Sequence, residues 1–175
     1  MISAATRIAG AAIVLGLFAA GTSLAQQGES KIGAWRYAPA GGGFAASVAA
    51  TGNDKAYLAF RCERPGAVSI VAALAPGQKL GAFADGQVRR PVSLKIDAAT
   101  ADKDWFYPDE SKGETELTRT VGVDSVDMLK IVRRGQKTLR ATIDKGDGST
   151  LELGFDIAGA DQALGKLLAD CKSER

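Results

Sequence analysis

Histidine is absent from the 175-residue chain. That excludes a Ser-His-Asp or Cys-His catalytic arrangement and any zinc site built on imidazole. Cysteine is scarce: Cys62 and Cys171 are the only two. Two thiolates cannot make a four-cysteine metal site, and their spacing is not that of a Cys-x-x-Cys redox motif. A dominant charge is missing too. The chain carries 22 Lys and Arg against 20 Asp and Glu, a formal charge of +2. Nothing there favours nucleic acid as a partner. The basic pairs Arg89-Arg90 and Arg133-Arg134 read as solvated surface.

Long apolar runs are absent after the N-terminus. The one such stretch, Ile8 to Ala20, follows Arg7, the only charge that precedes it. It is short and rich in Ala and Gly, and Ser23-Leu24-Ala25 supplies a small-x-small site. Together these predict a secretory signal peptide over residues 1–25 rather than a membrane anchor, which needs ~20 strongly apolar residues. Residues 26–32 are polar and read as a flexible lead-in, leaving 33–173 as a single β-rich domain. Export to the periplasm or beyond places the protein in an oxidising compartment, where two cysteines form one disulfide most simply. The alternative is a pair of unlinked buried thiols.

Cys62 closes the apolar run Tyr57 to Cys62, a strand pattern. Cys171 shares the apolar stripe of Ala160, Leu164, Leu167 and Leu168 at helical spacing over 160–172. That helix needs a sheet to cover, so Cys171 should meet Cys62 on it. Turn chemistry at 51–55 pairs strands 44–50 and 56–62 in one hairpin, and the turn at 144–149 pairs 138–143 with 151–157 in another. A further strand covers 88–96, with Pro91 suggesting an edge or a bulge. Asp124 or Ser125 can cap a short helix over 124–134 with Val126, Leu129 and Val132 on one stripe. The fold expected is mainly β: an antiparallel β-sandwich or curled sheet, with those two helices.

No cofactor or metal site follows from the motifs. Gly41-Gly42-Gly43 lacks the Gly-Lys-Ser/Thr ending of a phosphate loop. Asp144 to Thr150 has glycine where a calcium loop needs its second ligand. The stretch with functional character is the polar, acidic loop 98–116. Its Trp105, Phe106 and Tyr107 stand among acids that include Asp104 and Asp109. These five residues are the candidate contact surface for a partner. The structural alternative is that Trp105 and Tyr107 alternate as core anchors of a strand, with the acids solvated around them.

Trp35, the run Phe155-Asp-Ile-Ala-Gly-Ala160, and Ala163-Leu164 and Leu167-Leu168 leading to Cys171 give the chain a resemblance. It resembles the invasion-associated locus B proteins and similar small secretion-associated periplasmic proteins of Gram-negative bacteria. The resemblance implies an antiparallel β-sandwich with a C-terminal helix. It implies a non-enzymatic role in the periplasm or at the cell surface, linked in some members to host-cell entry. The partner expected is an envelope or host protein, with no membrane span after signal cleavage. Two other functions suit a small exported β-protein: an inhibitor of a hydrolase such as lysozyme, acting through loop 98–116, and a carboxylate-based glycan hydrolase.

Overall fold

A computed structural model describes residues 28–66, 69–82, 89–99, 102–109, 116–122 and 127–172. The signal segment, the cap residues Asp124 and Ser125, and Val126 lie outside the described residues. The strands are β1 (Ser30–Ile32), β2 (Trp35–Ala40), β3 (Gly43–Ala50), β4 (Asn53–Cys62), β5 (Ser69–Ala75), β6 (Arg90–Ile96), β7 (Asp102–Asp109), β8 (Glu116–Gly122), β9 (Thr138–Asp144) and β10 (Thr150–Asp156). The helices are α1 (Asp127–Arg134) and α2 (Ala160–Lys172).

The strands close into an antiparallel barrel. Its order is β3-β10-β9-β6-β7-β8-β5-β4, and β4 pairs back onto β3. The architecture is therefore mainly β, as expected, and is a closed eight-stranded barrel with β1 and β2 as an extension rather than a sandwich. Alternating hydrophobicity marks which residues face inward, but it does not say whether the last strand meets the first. Here β10 meets β3 through one bridged pair, Phe155 opposite Ala50, reinforced by Thr51 N–H donating to the Gly154 carbonyl at 2.7 Å. The β3–β4 ladder shifts register between Ala49 and Ala50, next to that seam. Such a bulge bends a strand and raises its local twist, as a barrel rim needs.

One face of every barrel strand fills the lumen. Register continues around the wall, as in Val48–Leu58–Leu74–Leu117 and Ile96–Leu139–Phe155. Phe60, Phe106, Phe155, Leu58, Ile70 and Ile143 are among its fully buried side chains. α2 lies across the inward face of β1 to β4, where Trp35, Tyr37 and Cys62 are buried. It buries Ala160, Ala163, Leu164, Leu167 and Cys171. The Cys62–Cys171 disulfide joins helix to barrel with Cα atoms 6.1 Å apart, inside the range of about 4.4–6.8 Å that a bridge requires. Tyr37 adds a hydrogen bond to Asp170, and Lys166 Nζ sits 4.7 Å from the Tyr37 ring centroid. α1 packs against α2, with Leu129 and Val132 buried and Arg133 paired to Asp161 at 2.7 Å.

Four sequence expectations need correction. Residues 30–32, expected to be part of a flexible lead-in, form β1 because they pair with Trp35, Arg36 and Tyr37. Pro91 lies on no edge strand, since β6 pairs with β7 and β9. The proline sits near the start of β6, before the β9 ladder begins at Val92, where its missing N–H is tolerated. Arg90 is not solvated: it is 3% exposed, and its guanidinium donates to the carbonyls of Gly81 and Asp144. Those bonds tie segment 80–82 to the β9–β10 turn. Finally, the stretch 98–116 is not all loop, since β7 and the first residue of β8 lie within it.

Candidate functional site

The expected contact residues fall on β7, which runs between β6 and β8. Phe106 is wholly buried, opposite Arg90 in register. Tyr107 is 51% exposed, opposite Thr118 on β8. The aromatic that anchors this strand is therefore Phe106, and Tyr107 is not a core residue. Period-two alternation fixes one parity inward, and the sequence alone did not reveal which. The side chains of Asp104, Trp105 and Asp109 lie outside the described residues.

Glu116, one of the acids of the same stretch, has a defined place. Tyr57 donates to its Oε2 at 2.5 Å and Arg61 donates to its Oε1 at 3.1 Å. The three side chains bridge β4 and β8 across β5. Ala59, between Tyr57 and Arg61 on β4, and Ala73, opposite it on β5, are both buried although they face away from the lumen. Small residues there let long polar side chains lie along the wall. Both oxygens of Glu116 are engaged in holding strands together.

A groove of about 640 Å³ opens on the opposite part of the wall, over β6, β9 and β10. Register aligns Lys95, Arg140 and Gly154 side by side across the three strands. Lys137, Thr138, Asp97, Asp156 and Thr51 form its margin. Gly154 has no positive φ, and a Cβ added there would meet nothing within 4 Å. Lys95, Lys137 and Arg140 are exposed and make no ion pair among the described residues. The two acids are committed elsewhere. Asp156 accepts the Ala158 N–H at 2.9 Å. Asp97 accepts the N–H groups of Gln136, Lys137 and Thr138 at 2.8, 3.0 and 2.8 Å.

Asp97 is also the one described non-glycine residue with positive φ, at 48°. Aspartate tolerates that region better than most residues because its short carboxylate bonds locally. The Gln136 N–H, then that of Thr138, holds its carboxyl below the ordinary 3.8. A lowered folded pKa means that ionisation favours the fold. The contribution is present above pH 3.8 and is lost as pH falls through the depressed folded value. Asp97→Asn should therefore lower the melting temperature near neutrality, with the gap to wild type narrowing below about pH 4. A gap that stays constant from pH 7 to pH 2 would sink this assignment.

The groove was not legible in the sequence. Lys95 and Arg140 each appear there as an ordinary outward residue of an alternating strand. The missing signal was that β6 and β9 are neighbours. Among the described residues, no group of His, Cys, Asp or Glu side chains is placed to hold a metal ion, and no helix is long and apolar enough to cross a membrane.

No protein-family model matches the chain. No curated protein matches it either. Among solved structures, it is similar to the crystal structure of invasion associated protein b from Bartonella henselae. The likeness covers 81% of this chain and 96% of that one, with 14% sequence identity and a TM-score of 0.54. At that identity the two share a fold, a loose structural resemblance in line with the one expected from the sequence.

Proposed function

We propose that the protein is an exported, non-enzymatic binding protein of the periplasm or cell surface that works through the outer wall of its barrel. The observation that carries this reading is the filled lumen. Small barrels that carry ligands inside leave a cavity among their inward residues. Here Phe60, Phe106, Phe155, Leu58, Ile70 and Ile143 occupy that space with no exposure to solvent. Recognition is left to the wall, where the groove over β6, β9 and β10 and the exposed Tyr107 lie. The disulfide supports an oxidising location. The likeness to a protein described as invasion associated supports a role in contact with a host rather than in catalysis.

Capture of partners from an envelope extract, with the native oxidised protein as bait, tests the proposal. A saturable envelope or host-surface protein partner is the expected result. Turnover of peptidoglycan by the purified protein, with no partner captured, would replace this reading with the hydrolase one.

A further inference from the structure

The row formed by Lys95, Arg140 and Gly154 departs twice from ordinary sheet construction. Like charges directly opposite on neighbouring strands destabilise a sheet, yet Lys95 faces Arg140 and no described acid pairs with either. A glycine inside a strand weakens it, and it usually marks a bulge, a bend or the close approach of another group. Gly154 stands in register with Arg140, has no positive φ, and has open space where a side chain would be. The fold does not need a glycine there. Both departures are explained if something anionic lies along this row, held by the two cations and extending over Gly154.

We propose that this groove binds the phosphate group of a phosphoester ligand, an inference that rests on the outer wall being the working surface. Charge selects phosphate over a lone carboxylate. Residues opposite each other across an antiparallel pair have Cβ atoms about 4.5–5.5 Å apart. A phosphomonoester carries about −1.5 to −2 near neutrality and presents three acceptor oxygens. The Arg140 fork takes two oxygens in parallel and Lys95 takes the third as a point charge. Lys137 at the margin adds a further cation. Asp97 and Asp156 turn their carboxylates to backbone N–H groups, and neither makes an ion pair with Lys95 or Arg140. Without a side chain at Gly154 the ligand can lie against the β10 backbone. The phosphate can belong to a soluble phosphoester or to a lipid headgroup.

The test is titration of the 15N-labelled oxidised protein with inorganic phosphate at constant ionic strength, followed by amide shifts. Saturable shifts at Lys95, Arg140 and Gly154 are expected. Arg140→Gln should weaken binding at least tenfold. Gly154→Val should abolish it while leaving the melting temperature unchanged or higher; Gly154→Ala, a smaller change, should weaken it. The glycine variants leave charge intact, so diffuse attraction to a basic surface would not respond to them. Co-sedimentation with phosphatidic acid vesicles, but not with phosphatidylcholine vesicles, assigns the phosphate to a lipid. Saturable phosphate binding without co-sedimentation assigns it to a soluble phosphoester. Absence of saturable shifts, or shifts unaltered by Gly154→Val, overturns the inference. If the protein still captures an envelope partner in that case, the binding-protein reading stands without the groove.

Discussion

Reduction of the Cys62–Cys171 bond is expected to lower the unfolding free energy by about 4–5 kcal/mol in the chain-entropy account. The linked residues are 109 positions apart, so the bond removes a large amount of freedom from the unfolded chain. Losses measured for native disulfides run from about 2 to 5 kcal/mol, and the lower part of that range applies if the reduced chain keeps residual structure. Urea unfolding with and without reductant gives the value directly. The double variant Cys62→Ala with Cys171→Ala should lose a similar amount. The helix should not undock on reduction. Leu164 and Leu167 remain buried, Tyr37 still bonds Asp170, and Arg133 still bonds Asp161. Amide exchange within α2 of the reduced protein should therefore stay slow under native conditions. An unchanged unfolding midpoint, or fast exchange confined to α2, would contradict this account.

The adjacent residues Phe106 and Tyr107 should behave oppositely. Phe106→Ala empties a fully buried aromatic site in the lumen and should cost about 3–5 kcal/mol. Tyr107→Ala alters a side chain that is 51% exposed and should change stability by no more than about 0.5 kcal/mol. Thermal or chemical unfolding of the two variants checks the pair. Equal losses would mean that the inward parity of β7 is wrong. If the wall around Tyr107 meets a partner, Tyr107→Ala should also weaken capture of that partner without moving the unfolding midpoint.

What could be read from the sequence was what is local. The β3–β4 and β9–β10 hairpins were legible because their turns carry their own chemistry. Gly52 takes positive φ, and Asp144 and Asp147 accept the N–H groups of Gly146 and Ser149. α2 was legible from its 3.6-residue stripe, and its bond to Cys62 followed from the two apolar faces and the cysteine count. α1 spans Asp127–Arg134, within the expected range. What could not be read depends on which strands become neighbours. Barrel closure rests on Phe155 meeting Ala50. The burial of Arg90 rests on two carbonyls, that of Gly81 and that of Asp144, the second 54 residues away in the chain. Phe106 rather than Tyr107 faces inward, which the sequence did not show because a run of three aromatics has no parity of its own. The cationic row needs β6 beside β9, a pairing that no turn announces.

The narrow seam between β3 and β10 bears on how the chain reaches its native state. The β3–β4 and β9–β10 ladders join segments that follow each other directly, and such contacts form quickly. The seam and the disulfide both join the early part of the chain to its last quarter. Loop-closure entropy must be overcome before a contact of that kind contributes anything. Closure is therefore a late step, and one bridged pair contributes little drive of its own. Until then β10 presents an unpaired edge on the side that Ala50 later covers.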